Sequence, residues 1–348
     1  MNHTSTNDKC FGSLIGGAIG DALGYAVEFS FYNEIIDQFG PKGITRFVTD
    51  STGTARFSDD TQMTLFTLEG LVSGAIETDF GDIRELLPFI RKAYVDWYRT
   101  QTGSPRPLPG SWLSDIRRLW KRRAPGHTCM SALRSIAEGH EVNNDSKGCG
   151  GVMRVAPIGI FGARQHSRYS SDDIAILAGE AAALTHLNIA STWASALAAL
   201  VVRDCILTQS VNADEFEDIV RKALEKSVTL FDGPSHIREA FSGLIERTFE
   251  LAKSGQTDVE AIESLGEGWT ADEAIAIAIY CTARHIDSFE DCVIAAVNHD
   301  GDSDSTGAIA GNIIGAILGL HAIPEYFLKQ LELRPLLQIA AANLTSLR

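Results

Sequence analysis

The sequence predicts an all-α protein, and three observations carry that expectation. Apolar residues recur at helical spacing along most of the chain. Period-two alternation of β-branched residues is nearly absent. Glycine repeats every fourth residue in two stretches, Gly12, Gly16, Gly20, Gly24 and Gly307, Gly311, Gly315, Gly319, so that each set lines one face of a helix.

Taken in order, helical periodicity is clear over 62–71, 90–98, 174–184, 190–207, 216–228, 237–252 and 271–285. Capping residues mark some of the starts. Ser170, Ser171, Asp172 and Asp173 precede Ile174, and Thr270 with Glu273 three residues later has the form of a capping box. The best strand candidate is 43–48. Residues 101–109, rich in Pro, Gly and Ser, read as a surface excursion, and 141–151 reads as a polar, glycine-rich loop. A mid-helix glycine costs about 1 kcal/mol relative to alanine. Four in one helix therefore point to close backbone approach, and the two striped helices are expected to pack on each other at the centre of the fold.

The 348 residues are 45% hydrophobic, enough for a large core, and no composition break divides them. The expected organisation is a polar N-terminal tail over 1–10 and a single domain over 11–348. With a formal net charge of −15, the chain is poorly suited to nucleic-acid phosphates or to an anionic membrane surface, whereas divalent cations suit its surplus carboxylates. The six cysteines form no CxxC pair, which argues against zinc-ribbon and thioredoxin readings. Residues 1–9 lack an apolar signal core, and the longest weakly polar runs are short for a bilayer. A cytoplasmic monomer is expected.

Two acidic clusters carry the chemistry. Ser58, Asp59 and Asp60 stand just before a helical segment, where taken alone they read first as an N-cap cluster and second as hard oxygen ligands. Asp300, Asp302 and Asp304, followed by Ser305, precede the second glycine stripe; three aspartates in five residues repel one another unless a cation or donors compensate. An EF-hand fails for want of a glutamate at loop position twelve, and no buried strand precedes the cluster to support a DxD phosphotransferase. Asp59, Asp60, Asp302 and Asp304 carry four negative charges, which two divalent ions would balance. Oxygen ligands favour Mg²⁺, with Mn²⁺ or Ca²⁺ as alternatives, over Zn²⁺. Both clusters sit at predicted helix N-termini, where the macrodipole favours anions. Glu28 reads as a movable carboxylate at the mouth of the site or as a surface glutamate, and Asp21 as a capped structural aspartate. The loop through Gly148, Cys149, Gly150, Gly151 and Val152 could cradle a diphosphate, although it has neither P-loop nor Rossmann spacing. Cys149 reads as a packed thiol and His186 as a structural histidine near a helix end, while for His299, also near a helix end, structural and catalytic readings both stand.

These segments resemble the ADP-ribosylglycohydrolase family, which includes the dinitrogenase reductase-activating glycohydrolase and the ADP-ribosyl-acceptor hydrolases. The resemblance spans about Cys10 to Leu320 and rests on GSLIGGAIGDALGYAVEF (12–29), FSDDTQMT (57–64), RRAPGHTCMSAL (122–133), KGCGGVMRVAPIGI (147–160) and NHDGDSDSTGAIAGNIIGAILG (298–319), with GEGWTADEAIAIAIY (266–280) alongside. It implies a compact multi-helix bundle around a central binuclear Mg²⁺ or Mn²⁺ site. By resemblance, Ser58, Asp59 and Asp60 ligate from one side and Asp302, Asp304 and Ser305 from the other. Glu28 matches a mobile glutamate, Gly148 to Val152 the diphosphate-lining segment, His186 a position near the nucleotide, and Trp269 a segment near the cleft. The sequence departs from the family at Cys149, where some relatives carry a polar residue, at Asp300, where many carry glycine, and at Ser305, which replaces a threonine but keeps the hydroxyl.

The implied activity is metal-dependent hydrolysis of the N-glycosidic bond between ADP-ribose and a protein side chain, with Asp59, Asp60 and Glu28 as catalytic carboxylates and arginine as the preferred acceptor. The alternatives are a serine-linked or other substrate, an immunity-type protein that neutralises an ADP-ribosyltransferase toxin by occlusion, and a catalytically silent relative.

Overall fold

The computed structural model describes residues 4–103 and 108–347. The helices run in the order α1 (Thr6–Gly24), α2 (Tyr32–Phe39), α3 (Asp59–Glu77), α4 (Leu87–Thr102), α5 (His127–Ala137), α6 (Ala156–Arg164), α7 (Ser171–Ala183), α8 (Ile189–Leu207), α9 (Ala213–Leu230), α10 (Ser235–Ala252), α11 (Asp258–Glu263), α12 (Ala271–Arg284), α13 (Phe289–Val297), α14 (Ser303–Leu318), α15 (Glu325–Gln330) and α16 (Arg334–Ser346). Short 3₁₀ turns connect several of them, among them Cys149–Arg154. No strand occurs among the described residues, in keeping with the all-α expectation, and each of the seven periodic segments falls on a helix.

The two glycine stripes meet. A Cβ on Gly12 would fall 2.5 Å from Gly315 O, on Gly16 2.4 Å from Gly311 O, on Gly20 1.9 Å from Gly307 O and on Gly24 2.2 Å from Ser303 O. The order reverses along the pair, so α1 and α14 run antiparallel in backbone-to-backbone contact, and α1 from Gly12 onward and α14 up to Ile317 are buried throughout. Around this seam α12 and α13 pack on α14, and α16 packs on α1. Helix α8 is apolar and long enough to cross a membrane by composition, but 83% of that stretch is buried, packed among α6, α7, α9, α12 and α14.

Four local expectations need correction. The tail is shorter than 1–10, because α1 begins at Thr6, capped by the Ser5 side chain, and Lys9 and Cys10 are buried. Lys9 Nζ donates to the carbonyls of Cys205 (3.1 Å) and Thr208 (2.6 Å) at the end of α8, which ties this segment into the core. Residues 43–48 are not a strand. Ile44 exchanges both backbone hydrogen bonds with the side-chain amide of Asn298 (2.7 and 2.9 Å), so one amide does the work of a neighbouring strand. Thr270 is the N-cap of α12, but its hydroxyl is unpartnered and the capping box does not form. Its backbone is held instead by an antiparallel bridge to Gly148. The expected excursion over 101–109 starts inside α4, where Gln101 is buried; 104–107 lie outside the described residues. The cap at Ser170 forms as expected, with Asp173 completing a capping box.

Candidate active site

The α3 N-terminus is built by a residue 37 positions upstream. Asp21, fully buried on α1, accepts the Ser58 N–H at Oδ1 (2.7 Å) and the Thr61 N–H at Oδ2 (2.9 Å), with the Thr61 hydroxyl on the same oxygen. Burial pushes its carboxyl up to about 6 against these donors. Ser58 caps the helix, its Oγ accepting the Asp60 N–H at 3.2 Å. From the other side, Asp302 caps α14 by accepting the Ser305 N–H (3.3 Å), and the same N–H reaches Asp304 Oδ1 (2.9 Å). The Ser305 hydroxyl then donates to Asp60 Oδ2 at 2.9 Å. That bond joins two sequence clusters 245 residues apart and puts two helix N-termini, each the positive end of a macrodipole, at one place.

A cavity of about 180 Å³ opens here, and its lining includes Glu28, Asp59, Asp60, Asp302, Asp304 and Ser305 together with Gly148, Cys149, Gly150, His186 and Trp269. No lysine or arginine is among its described lining residues. Burial is the largest influence raising the carboxyls of Asp59, Asp60 and Asp304 well above the usual range, and neighbouring carboxylates push the same way. Glu28, 8% exposed, is pushed up to about 8 by burial and then by the charges of Asp302, Asp59 and Asp21. Its Oε2 has no hydrogen-bond partner. The surface-glutamate reading therefore fails.

Among the described residues, no three His, Cys, Asp or Glu side chains converge tightly enough to hold an ion as they stand. The donor set nevertheless suits hard divalent cations. It is a dense group of buried carboxylates with no lysine or arginine along the cavity wall, one orphaned carboxylate oxygen, and hydroxyls beside them.

The substrate-side expectations divide. Gly148, Cys149, Gly150, His186 and Trp269 line the cavity, whereas Gly151 and Val152 do not. Both are buried behind it; a Cβ on Gly151 would meet Ser191 Oγ at 2.7 Å, so that glycine serves packing. Cys149, half-buried on the cavity wall, donates through Sγ to Asp302 Oδ2 at 2.7 Å, and desolvation with the nearby Asp302 and Asp60 pushes its thiol well up. Trp269 is locked to the glycine loop by Cys149 N–H to Trp269 O (3.1 Å) and Ala271 N–H to Lys147 O (2.7 Å). It stacks on exposed Phe29 with ring centroids 6.3 Å apart. His299 is structural, its ring bonded to Asp300 O, Ala296 O and the Thr306 hydroxyl.

Residues 124–129 also form wall, through Ala124, Gly126, His127, Thr128 and Cys129, with the Gly126 N–H donating to Asp59 Oδ2 at 3.3 Å. The sequence signal for them was the RRAPGHTCMSAL segment, which carried a resemblance but no assigned role. Behind them, Arg123 forms a buried two-pronged ion pair with Glu332 (3.1 and 3.2 Å), donates to Phe57 O and accepts the Asp59 N–H at its own carbonyl.

Comparison with known proteins points to one family. The sequence profile of the ADP-ribosylglycohydrolase family matches residues 2–348. The chain is 25% identical to the ADP-ribosyl-[dinitrogen reductase] glycohydrolase of Rhodospirillum rubrum, over 96% of this chain and 94% of that one. It is also 25% identical to the ADP-ribosylarginine hydrolase Tri1 of Serratia proteamaculans, over 93% and 75%. A solved structure titled ADP-ribosylglycohydrolase-related protein complex superposes with a TM-score of 0.66 over 99% of both chains at 23% identity, a likeness of fold.

Proposed function

The chain belongs to the ADP-ribosylglycohydrolase family, and on that footing we propose that it releases ADP-ribose from a modified protein side chain, with arginine the preferred acceptor, in a reaction that depends on two Mg²⁺ or Mn²⁺ ions. The observation that carries the reading is the Ser305–Asp60 bond, which puts the two acidic clusters on one cavity wall.

Asp59, Asp60, Asp302 and Asp304, with the hydroxyls of Ser58 and Ser305, would hold the ions; Ser58 Oγ, which accepts the Asp60 N–H, keeps a second lone pair for that purpose. When bound, such ions supply positive charge and Lewis acidity beside the ribose oxygens. Asp59, which accepts the Gly126 N–H, would take a proton from the attacking water as the C–N bond at the anomeric carbon breaks, in an oxocarbenium-like reaction. The nitrogen leaving group regains a proton on departure. Glu28 lines the same cavity as a further carboxyl and is proposed as the second catalytic acid–base group. Gly148 to Gly150, His186 and Trp269 line the wall that would orient the nucleotide.

Two features support a cationic acceptor. Tri1, an ADP-ribosylarginine hydrolase by name, is 25% identical over most of this chain. Trp269 also borders a second chamber of about 500 Å³ whose wall includes Glu263, Glu267, Glu273 and Asp300, a setting that attracts a guanidinium-bearing peptide. All six cysteines are unpaired, which supports a reducing, cytoplasmic location.

The test is chromatographic detection of free ADP-ribose from arginine-, serine- and cysteine-linked substrates, with Mg²⁺ and with chelator. Mg²⁺-dependent release from the arginine conjugate is expected, lost in Asp302→Ala and Asp304→Ala proteins that keep their helical circular dichroism. No release from any conjugate overturns the activity, and undiminished turnover in either variant overturns the metal assignment.

A further inference from the structure

We propose that Arg154 and Thr185 fix His186 in the tautomer that carries its proton on Nε2, so that the ring presents a neutral N–H donor to an oxygen of the ligand in the cavity. The tautomer stands on hydrogen-bond geometry alone; the donor role rests on the ADP-ribose reading above.

The argument is a count of donors and acceptors. Arg154 is fully buried behind the cavity wall. Its guanidinium lies over the Tyr94 ring at 4.2 Å, touches the sulfurs of Met63 and Cys129, and donates through Nη2 to Ala181 O (3.2 Å) and Thr185 Oγ1 (2.7 Å). No carboxylate pairs with it among the described residues, and the carbonyl end of α7 supplies the negative partner. An arginine donates and never accepts, so Thr185 Oγ1 receives that bond. The hydroxyl then has one hydrogen to place and two candidate acceptors. Ala182 O is 3.4 Å away and already takes the N–H groups of Thr185 and His186, both at 3.0 Å, which fill its two lone pairs. His186 Nδ1 is at 2.8 Å. The hydrogen goes to Nδ1, and polarisation of the hydroxyl by the arginine strengthens the bond. With Nδ1 an acceptor, a neutral ring carries its proton on Nε2.

Both the burial of the ring and the nearby guanidinium keep it neutral, holding its pKa down at about 3. Nε2 has no hydrogen-bond partner among the described residues, and the ring lines the cavity beside Gly148 and Gly150. A Cβ on Gly150 would come within 2.8 Å of Cε1 and 3.2 Å of Nε2, so glycine there keeps the ring in place and its edge open. Arg154 and Thr185 touch no ligand on this account; they are positioning residues that act through His186.

The test is long-range ¹H–¹⁵N correlation of the histidine rings in the full-length protein at neutral pH, with His186 assigned by its disappearance in His186→Gln. The expected result is an unprotonated Nδ1 and a protonated Nε2 in the wild type. Thr185→Ser should keep that pattern, and Thr185→Val should lose it, showing mixed tautomers or an Nδ1 proton. A protonated Nδ1 in the wild type overturns the proposal, as does a Thr185→Val ring unchanged from wild type. If Thr185→Val does not fold, the wild-type spectrum with that of Thr185→Ser decides. Calorimetric titration with ADP-ribose reads the donor role. Thr185→Val should bind about tenfold more weakly and Thr185→Ser like wild type, the loss of one aligned hydrogen bond. Equal affinity in a Thr185→Val protein whose tautomer has changed overturns the donor role. A wild type that binds no ADP-ribose refutes the functional reading and with it the donor role, while the spectra still decide the tautomer.

Discussion

Gly20→Ala should destabilise the fold by about 2 kcal/mol or more, although alanine is the better helix former. The added Cβ would lie 1.9 Å from Gly307 O and 2.3 Å from Gly307 C, both backbone atoms of a buried helix that has no rotamer to change. Reaching an ordinary contact of 3.4 Å requires the helices to part by about 1.5 Å at that point. A gap of 0.5 to 1 Å already forfeits a quarter to a half of a contact's dispersion energy, so the neighbouring turns of the seam lose much of their attraction. Overpacking of this kind costs about 1 to 3 kcal/mol and sometimes more, and backbone-on-backbone collision belongs at the top of that range or beyond. The gain in helix propensity returns about 1 kcal/mol. The control is Gly243→Ala on α10, where the position is exposed and a Cβ meets nothing within 4 Å. There propensity acts alone, and a gain of up to about 1 kcal/mol is expected. Urea titration followed by circular dichroism measures both, read as the shift in midpoint at constant slope. A Gly20→Ala midpoint at or above wild type would refute the reasoning, because it would mean that the two stripes do not press together.

Arg123→Ala should cost about 3 to 5 kcal/mol, because it strands the buried Glu332 carboxylate. It should also lower turnover, since the Phe57 carbonyl loses its clamp one residue before Ser58. In Arg123→Met/Glu332→Leu, urea midpoints should recover most of the stability while turnover stays low; full recovery of turnover would sink the positioning argument. For His186 the folded pKa of about 3 lies below the ordinary 6.5, so the unfolded chain binds the extra proton. Its contribution to stability is present above pH 6.5 and is lost as the pH falls toward 3. With chelator present to hold metal occupancy constant, the Tm difference between wild type and His186→Gln should shrink over that window; parallel curves would contradict a buried neutral ring.

How much of this was legible in the sequence depends on the range of the interaction. The helices were legible because a buried stripe imposes its period locally, and the seam because glycine at every fourth position has a cost that only close approach explains. The two aspartate clusters were legible as ligand-rich helix starts, and both lie at helix starts here. Capping by Asp21 was not legible as an act on α3, because nothing near position 21 names a partner 37 residues away. The strand expected at 43–48 failed for the same reason: the group that pairs with Ile44 is one amide 254 residues on. Gly151 and Val152 looked like part of the phosphate loop because the run of glycines continues through them, yet a 3₁₀ turn rotates them into the core. Arg154 gave no signal, since a cation at the end of a glycine motif looks like a surface residue until its burial is known.

The C-terminal end of α1 is where these long-range contacts converge. Asp21 holds the start of α3, Gly24 abuts Ser303 at the start of α14, and Glu28 follows in the next turn of chain. One helix thus fixes two helix N-termini whose own carboxylates, buried and without a lysine or arginine on the cavity wall, would drive them apart. The helix dipoles offset part of that repulsion, but their effect is typically below about 1 kcal/mol per end at exposed sites. The larger opposing force available is the packing of α1 on α14, which is closest where the chain carries no side chains to hold it open. Alanine would favour each helix separately and disfavour the pair. The glycine stripes and the aspartates are therefore two halves of one arrangement: the stripes seat α1 against α14, and α1 through Asp21 holds the start of α3, so that the two acidic helix starts meet.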